Sequence, residues 1–399
     1  MKILMLLISY DFPPDIRVEK EARALLAAGH SITLVCENRK NRPARETWNG
    51  IQIIRLRPQP VWWRQLNTAA LFITLRNPIW EGQIAHIVAA EQPDAIHVHD
   101  LPFVGPGLRL ARRFNLPLVA DLHENFPAWL EFRRAITTNP LEKLAFNPSR
   151  FAEYERRVLP QCDKVIVVVE EAAERVSRLG VPAGKIVVVG NTEDVEAVNP
   201  DVPPVDLPPS GLTLLYVGGL GPDRGLETVI EAMPTILSAV PSARLVIVGD
   251  GISRASLEQL VARTGVAHAV QFEGRQPFSM VHRYIQAGDV CLVPHVASPE
   301  INTTMPHKLF QYMAMSKPVI VSSARPLARV VGETQAGMIF DSGSPDSFAQ
   351  AALKLTDWNL RQQLGQNGRQ AVLTRYNWQV DGGRLVNLYQ TLSRRKYNA

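Results

Sequence analysis

Short apolar runs alternate with helical patterns along this chain, and a single proline-rich segment divides the alternation into two arrays. Before that segment, the runs that predict strands are 3–7, 31–35, 95–98, 116–120, 164–168 and 186–189, with helical patterns at 18–28 and 106–114. After it, strands are predicted at 212–217, 244–248, 270–272, 290–293 and 318–321, and helices at 226–239, 253–262, 348–355, 360–373 and 379–392. This alternation is typical of parallel sheets covered by helices.

The proline-rich segment, 198–211, has the sequence VNPDVPPVDLPPSG and can form neither a helix interior nor a central strand. A chain of 399 residues is also too long for one typical core. We therefore predict an α/β protein with a Rossmann-like domain at 1–197, a linker at 198–211, a second Rossmann-like domain at 212–378 and a terminal helix at 379–399. Ligands bind at the carboxyl ends of the strands in doubly wound sheets, so we expect the two sheets to face a shared cleft.

The first eight residues, MKILMLLI, superficially resemble a secretory signal. The run is short, lacks a small-residue cleavage site and passes straight into DFPPD, so a first buried strand is the better interpretation. No run reaches the roughly 20 apolar residues of a membrane helix. Cys36, Cys162 and Cys291 are odd in number, far apart and without metal-ligand spacing. They predict reduced core thiols in a cytoplasmic protein, and no metal site.

The segment 302–314, NTTMPHKLFQYMA, lies between two of the predicted strands. Pro306 suits the first turn of a helix, and Thr303 and Thr304 are good capping residues. The free N–H groups and the positive dipole end of such a helix make an anion site. Taken alone, the segment is equally compatible with an ordinary capped helix in a parallel sheet.

Several short motifs follow one another along nearly the full chain. They are PPD at 13–15, AGHSITLV at 28–35, DAIHVHD at 94–100, YVGGL at 216–220, DRG at 223–225, LVIVGDG at 245–251 and QYMA at 311–314. Each motif is weak alone, but their order and spacing are specific. In this pattern the chain resembles the retaining glycosyltransferases of the GT-B fold, the family that includes bacterial glycogen synthases.

The resemblance implies transfer of a sugar from a UDP-sugar or GDP-sugar to an acceptor hydroxyl, with retention at the anomeric carbon. Family members bind the nucleotide mainly to the second domain and the acceptor mainly to the first, and their last helix commonly returns to the first domain. They usually need no metal, because basic side chains and helix ends neutralise the leaving diphosphate. We therefore expect a hexosyltransferase without a cofactor, acting on a glycan or lipid-linked acceptor in cell-surface polysaccharide or lipopolysaccharide synthesis. Its expected location is the cytoplasm, with the inner face of the plasma membrane as an alternative.

Carried over by position, the resemblance assigns catalytic roles to His123 and Arg224, and Lys308 is a third catalytic candidate because it could restore the basic charge that the family has at the position of Gly219. His123 would reach the donor sugar, and Arg224 would neutralise charge on the leaving phosphate, with Lys308 as a second positive charge. The structural alternatives are a satisfied histidine, a solvated arginine at a helix start and a surface lysine.

The remaining site residues fall on two sides. Those expected at the donor are Gly218, Gly219, Arg224, Gly249, Gly251, Glu300, Thr303, Thr304, Met305, Pro306, His307 and Gln311. Those expected at the acceptor are Asp15, Arg17, His99, Asp100 and Glu124. Glu124 could instead orient His123 or cap the next segment.

The chain departs from the family pattern at three positions. Gly219 stands where the family has a second basic residue, which weakens the phosphate clamp. Thr303 and Gln311 stand where the family has two glutamates, and although Gln311 could still bond a ribose hydroxyl, Thr303 is too short to replace a carboxylate. Glu300 is the candidate for the missing acid, unless it is an exposed side chain and backbone groups hold the sugar.

These departures keep two other functions open. One is a nucleotide-sugar-binding partner in a glycan-assembly complex that has lost catalysis, although the presence of Arg224 and His123 argues against it. The other is a nucleotide-sugar epimerase of the same fold, for which Glu124 is a candidate acid. Only the transferase needs a separate acceptor.

The chain is basic, with a formal charge of +5 and a pI near 9.1. PVWWR at 60–64 and ALFITLR at 70–76 place aromatic, aliphatic and basic groups together in the first domain, and Arg133, Arg134, Lys143, Arg150, Arg156 and Arg157 follow. This pattern fits a surface that docks on anionic lipid, and it fits an ordinary helical hairpin with solvated charges equally well. Nucleic acid is not an expected partner, because no binding motif accompanies the charge.

Overall fold

The computed structural model describes residues 1–8 and 11–397, which form two compact units. The first unit contains the chain up to Gly190 and returns to include the described chain from Asp381 onward. The second unit runs from Asn191 to Val380. Residues 191–197, predicted in the first domain, therefore group with the second unit. The last two residues of the predicted segment 379–399 lie outside the described residues.

The first unit is built on an eight-stranded sheet. Its strands are β1 (Lys2–Leu7), β2 (Ser31–Cys36), β3 (Arg45–Trp48), β4 (Ile51–Arg55), β5 (Ala95–His99), β6 (Leu118–Leu122), β7 (Lys164–Val167) and β8 (Ile186–Val188). Their order is β3-β4-β2-β1-β5-β6-β7-β8, and every pair is parallel except β3 with β4. The chain fills one side of β1 before crossing to β5, so the carboxyl ends of β1 and β5 mark the point where ligands bind in such sheets.

Eight helices belong to the part of the first unit that precedes Gly190. They are α1 (Ile16–Ala27), α2 (Val61–Thr74), α3 (Pro78–Glu91), α4 (Val104–Phe114), α5 (Phe126–Ile136), α6 (Pro140–Ala145), α7 (Pro148–Val158) and α8 (Glu170–Arg178). Helix α1 begins at a capping residue, because the Asp15 carboxylate accepts a hydrogen bond from the Val18 N–H at 3.0 Å.

The second unit has a six-stranded, all-parallel sheet. Its strands are β9 (Thr213–Val217), β10 (Arg244–Val248), β11 (Val270–Gly274), β12 (Val290–Val293), β13 (Val319–Ser322) and β14 (Gly337–Phe340), in the order β11-β10-β9-β12-β13-β14. Its helices are α9 (Leu226–Ala239), α10 (Arg254–Arg263), α11 (Phe278–Ala287), α12 (Lys308–Ala314), α13 (Arg325–Thr334), α14 (Pro345–Lys354) and α15 (Trp358–Thr374). Leu214, Tyr216, Leu245, Ile247 and Leu292 are among the fully buried core residues of this sheet.

The final helix, α16 (Trp378–Tyr397), spans the boundary between the units. Within the first unit the Tyr389 hydroxyl lies 2.8 Å from Nδ1 of His97 on β5. The proline-rich segment packs on the second unit, where Arg283 of α11 donates to the Pro203 carbonyl at 3.1 Å and the Val205 N–H donates to the Arg283 carbonyl at 3.3 Å. Specific polar contacts thus hold the final helix to β5 in the first unit and the proline-rich segment to α11 in the second unit.

The parallel-sheet prediction is confirmed for both units, with three local errors, of which one is that the edge strand β14 was not predicted. The strand predicted at 116–120 is β6, which begins after Pro117 and continues through Asp121. The run of apolar residues ends before Asp121. Asp121 nevertheless belongs to the strand, because cationic side chains balance the charge of its carboxylate. The β3–β4 hairpin was not predicted, although its Asn49-Gly50 turn, with φ of 48° and 83°, has a typical hairpin sequence.

The prediction for the start of α12 is wrong. The helix begins at Lys308, and no side-chain cap bond is made at its first residue. Thr303 belongs instead to a 3₁₀ turn, Ile301–Thr303, and its hydroxyl donates to the Pro299 carbonyl at 2.9 Å. A residue that precedes proline disfavours the helical region, so the chain remains non-helical through Met305 and Pro306.

The three thiols, Cys36, Cys162 and Cys291, are buried and unbridged, as predicted. Of the helices within residues 1–8 and 11–397, none is both long enough and apolar enough to cross a membrane.

Candidate functional site

In the second unit, the predicted donor residues collect at the carboxyl ends of two adjacent strands, β9 and β12. The chain leaves β9 toward β10 on one side and later returns to β12 on the other, which makes this the crossover point of the sheet. The loop after β9 contains Gly218 to Arg224, and the loop after β12 contains His295 and Glu300. These two loops lie close together because β9 and β12 are adjacent, although more than 70 residues separate the loops in the sequence.

Arg224 ends a 3₁₀ turn, Pro222–Arg224, and points at the loop after β12. Its Nη1 lies 2.7 Å from Nε2 of His295, and its Nε lies 3.3 Å from a carboxylate oxygen of Asp223. Gly225 permits this approach: its φ is 68°, and a Cβ there would overlap the Pro294 carbonyl oxygen. Arg224 is therefore held by partners and is not a freely solvated arginine at a helix start.

His295 was not among the predicted site residues. Its imidazole ring is neutral and holds the Arg224 guanidinium in place. Burial, together with the charges of Lys308 and Arg224, keeps the pKa of His295 well below its usual range. Its Nε2 accordingly accepts from Arg224, and its carbonyl accepts from the Ser322 hydroxyl at 2.6 Å. The sequence signal was a polar residue immediately after a buried strand.

Lys308, the first residue of α12, packs against the loop that follows β9. Its Nζ is 3.9 Å from the centre of the Tyr216 ring, and a Cβ on Gly218 would overlap it. Burial, and secondarily the charge of Arg224, hold the pKa of Lys308 well below its usual range. A surface lysine would not be so perturbed, and an anion bound here would restore the charged form.

Glu300 shares this electrostatic environment. Burial and the Asp223 carboxylate raise the pKa of Glu300 to about 7, with Arg224 opposing the shift. The side chain is half-buried, so the interpretation of Glu300 as an ordinary exposed acid is not supported. Near neutral pH this carboxyl group can be a hydrogen-bond donor as well as an acceptor.

The other predicted donor residues fall into two groups. Gly249 and Gly251 are required by close backbone packing, since a Cβ on Gly249 would overlap the Gly218 carbonyl and one on Gly251 the Leu220 carbonyl, whereas Gly218 makes room for the Lys308 side chain. Gly219, in contrast, has no described atom within 4 Å of the position a Cβ would take. Its backbone is open to a ligand.

The segment before α12 is tied to the second unit through its own partners. The Met305 carbonyl accepts from Asn191 at 3.5 Å, and Nε2 of His307 lies 2.8 Å from a Glu193 carboxylate oxygen. Thr304 and Pro306 carry the chain between the 3₁₀ turn and the helix. Gln311 is buried on α12. The Thr303 hydroxyl is occupied by backbone carbonyls, so Thr303 does not replace a carboxylate.

In the first unit, a buried ionic cluster lies at the carboxyl ends of β5 and β6. Its centre is Asp121, whose Oδ2 is 2.7 Å from Nε2 of His123 and 3.1 Å from Nδ1 of His99. Arg17 of α1 donates to the other oxygen at 2.8 Å. Three residues predicted at the acceptor or the sugar therefore meet on one carboxylate that sequence reasoning left without a role.

A second carboxylate, Glu21, completes the cluster from α1. Arg17 lies 3.0 Å from Glu21, and Arg17 also donates to the Val189 carbonyl at 3.1 Å. Nε2 of His97 lies 3.6 Å from Glu21. A charged residue on the buried face of α1, one turn after Arg17, was the signal that the sequence offered. Arg17 is thus better supported as a charge-balancing residue than as an acceptor contact.

The remaining predicted acceptor residues lie at the rim of this cluster. Asp100 follows β5 with a left-handed φ of 68°, and its carboxylate lies 3.5 Å from Nδ1 of His123. Asp15 caps α1, and Glu124 is half-buried directly after His123. The structure therefore brings His99, Asp100 and His123 together, with Glu124 next to His123 in the chain and Asp15 close enough to Asp100 to act on it electrostatically.

The environment of the cluster shifts the pKa values of its two central histidines, His99 and His123, in opposite directions. Burial disfavours a charged His123, but Asp100 and Asp121 outweigh burial and raise its pKa to about 10. Burial and His97 lower the pKa of His99 to about 3. Burial and Asp121 raise the pKa of Glu21 to about 7. His123 is thus a cationic hydrogen-bond donor at neutral pH, next to a neutral His99.

Four members of the cluster are also of the types that bind metals. One ligand atom from each of Glu21, His97, His99 and Asp121 lies within 4.8 Å of the others. The Arg17 guanidinium already contacts both carboxylates and supplies the positive charge that a cation would.

We expect the stability of the first unit to fall between pH 6.5 and 10. The folded-state pKa of His123 is about 10 against an ordinary value of 6.5, so its contribution is complete below pH 6.5 and is lost as the pH rises through 10. His123→Gln should flatten this part of the profile. Glu21 acts in a separate window, between 4.5 and about 7, where ionisation of the unfolded chain lowers stability as the pH rises.

The measurement is hydrogen exchange of β5 and β6 amides in both proteins across this pH range. The difference between the two proteins isolates His123 from other groups that titrate near pH 10. Parallel profiles for the parent and the variant would contradict the assignment of a cationic His123.

Comparison with known proteins identifies both halves of the chain. Residues 14–192 match the family model described as glycosyl transferase 4-like domain, and residues 211–357 match the model described as glycosyl transferases group 1. An uncharacterized glycosyltransferase of Methanocaldococcus jannaschii is 26% identical, with 98% of each chain covered.

Solved structures show the same fold at low identity. Sucrose-phosphate synthase from Thermosynechococcus elongatus gives a TM-score of 0.79 at 23% identity, covering 98% of this chain and 99% of the other. HepE of Anabaena, solved in complex with UDP, gives a TM-score of 0.70 at 16% identity, covering 99% of this chain and 100% of the other. The two-domain GT-B prediction is confirmed, and the chain is a member of the group 1 glycosyltransferase family.

Proposed function

We propose that the chain is a retaining hexosyltransferase that moves a sugar from a UDP-sugar or GDP-sugar to a glycan or lipid-linked acceptor. The observation that carries this proposal is the convergence of Arg224 and Lys308 at the crossover point of the second sheet, beside the open backbone of Gly219. Two basic groups at this place fit a nucleoside diphosphate, and HepE, which has the same fold, binds UDP.

The proposed chemistry is exchange at the anomeric carbon. The bond to the phosphate oxygen breaks, a bond to the acceptor hydroxyl oxygen forms on the same face, and the hydroxyl proton passes to the leaving diphosphate oxygen. Negative charge grows on the leaving diphosphate, so preorganised cations aimed at it lower the barrier. Arg224, fixed by His295, and Lys308, recharged by the bound anion, supply that stabilisation without a metal.

Three further polar side chains, Gln311, Glu300 and His123, would complete the site. Gln311 is proposed to bond the ribose through its amide, in place of a carboxylate. Glu300, with its pKa near 7, is proposed to bond the donor sugar with little repulsion from the diphosphate. His123 keeps the role that the family resemblance implies, hydrogen bonding to the donor sugar. Cell-surface polysaccharide synthesis is the proposed pathway.

The first test is a thermal-shift titration with UDP, GDP and ADP and their sugar conjugates. A ligand that binds the native state raises the free energy of unfolding by about 2.7 kcal/mol at 100 times its dissociation constant. We expect one uridine or guanosine series to stabilise the protein, with EDTA leaving the shift unchanged. Stabilisation by none of them at millimolar concentration would reject the donor proposal.

A second step separates the transferase from its alternatives. With the preferred donor and a set of glycan and lipid-linked acceptors, the configuration of the product is read by NMR. Retention is expected. A donor that binds but is neither transferred nor altered would support the non-catalytic partner, and a donor converted to its epimer without any acceptor would support the epimerase.

A further inference from the structure

Helix α2 presents an apolar surface to solvent. We define the α2 apolar face as Val61, Trp62, Trp63, Leu66 and Ile73, each with at least 40% of its surface exposed. Trp62, Leu66 and Ile73 recur at helical spacing, and the Trp63 ring lies 5.4 Å from that of Trp62. They therefore form one continuous surface.

Helix α2 buries Leu71 and packs Phe72 against Phe151, but most of its large apolar side chains are on the exposed side. Asn67, an amide, is only 7% exposed and donates to the Gln59 side chain at 2.7 Å, whereas Trp62 is 62% exposed. Most other exposed large hydrophobic side chains in the described chain are scattered over separate elements. Single exposed hydrophobic residues are normal, but a clustered set indicates a contact surface.

Positive charge is in excess beside this face. No aspartate or glutamate occurs between Glu46 and Glu81 in the sequence, while Arg57, Arg64 and Arg76 flank or lie on α2. Arg57 and Arg76 are exposed, and none of the three forms an ion pair within the described chain. Two acids lie near these arginines: Glu37 lines one cavity with Arg57 and Arg64, and Glu81 feels the charge of Arg76. Both acids already pair with other arginines, Glu37 with Arg39 and Glu81 with Arg109, so the surplus charge can meet an external anion.

We propose that the α2 apolar face docks on an anionic lipid bilayer. Tryptophan prefers the boundary between headgroups and acyl chains, and arginine can extend its charge to the headgroups from the same helix. Lipid anions match the three arginines, and the apolar side chains supply the buried area that stable interfacial binding needs. The proposal concerns the partner of the first unit and does not depend on the transferase activity.

The test uses the full chain and vesicles, with neither donor nor acceptor present. Co-sedimentation is measured with phosphatidylcholine vesicles and with phosphatidylcholine–phosphatidylglycerol vesicles, and brominated lipids report tryptophan insertion by quenching. We expect binding to the anionic vesicles only, weakened by salt. Replacing both tryptophans (Trp62→Ser with Trp63→Ser) should lower the partition constant at least about tenfold and abolish the quenching.

Two further variants make the test specific. Trp358→Ser removes an equally exposed tryptophan, 62%, from α15 and should leave binding unchanged. Replacing Arg57, Arg64 and Arg76 with glutamine should remove the preference for phosphatidylglycerol. Absence of vesicle binding by the parent, equal binding by the double-serine variant, or a dimer that this variant converts to monomer would each overturn the proposal.

Discussion

Replacing Arg224 with methionine is expected to lower kcat/KM for sugar transfer by about 10²–10³-fold, the usual cost of removing one preorganised donor from a developing negative charge. The guanidinium is already fixed by His295 at 2.7 Å before substrate arrives, so little reorganisation is needed when the diphosphate departs. The charge on the leaving oxygen grows in the transition state. The loss should therefore fall mainly on kcat, with a smaller rise in KM.

Steady-state kinetics with the donor chosen by the titration measure this effect. Arg263→Met is the matched control, since Arg263 is exposed at the end of α10 where the chain turns toward the start of β11. Lys308→Met should reproduce the loss, because both side chains act on the same anion. Equal kcat values for Arg224→Met and Arg263→Met would remove Arg224 from the phosphate site.

The sequence predicted the sheets well because strands buried on both faces read as nearly continuous apolar runs. It failed where a charged residue belongs to the sheet. Asp121 lies in β6 only because Arg17 and His123 neutralise it, and that compensation comes from α1 and from the next loop. Such long-range charge pairing has no local signature.

The positions of the donor-site candidates came from the resemblance, and the contacts that support them did not. Arg224 lies in the quoted DRG motif, whereas Lys308 was proposed only as a replacement for the basic charge missing at Gly219. His295 belongs to no quoted motif, and its role depends on β9 and β12 being neighbours. Thr303 is a case where the residue type misled the prediction. A threonine favours the start of a helix, but Pro306 keeps the preceding residue out of the helical conformation, so the helix begins later. The Thr303 hydroxyl donates to a backbone carbonyl instead.

Replacing Asp121 with asparagine is expected to destabilise the first unit by about 3–5 kcal/mol, since it leaves buried cations without their counter-charge. Glu21 then lies 3.0 Å from Arg17, and Asp100 lies 3.5 Å from His123, as the remaining carboxylates in contact with these cations. The Asp121 carboxylate owes its low pKa to these cations, which outweigh the opposing effect of burial. Its stabilising contribution is therefore present above the pKa of the unfolded chain and is lost on acidification.

Hydrogen exchange tests this within one molecule, because the second unit serves as an internal control. Amides of β5 and β6 should exchange roughly 10²–10⁴-fold faster in Asp121→Asn, while those of β9 and β10 keep their protection. Removing the charge of Arg17 as well, in Arg17→Met with Asp121→Leu, should cost less than the sum of the single changes, because the guanidinium and the carboxylate that it contacts are then removed together. Uniform acceleration in both units, or none in the first, would show that the cluster does not stabilise the sheet on which His123 is held.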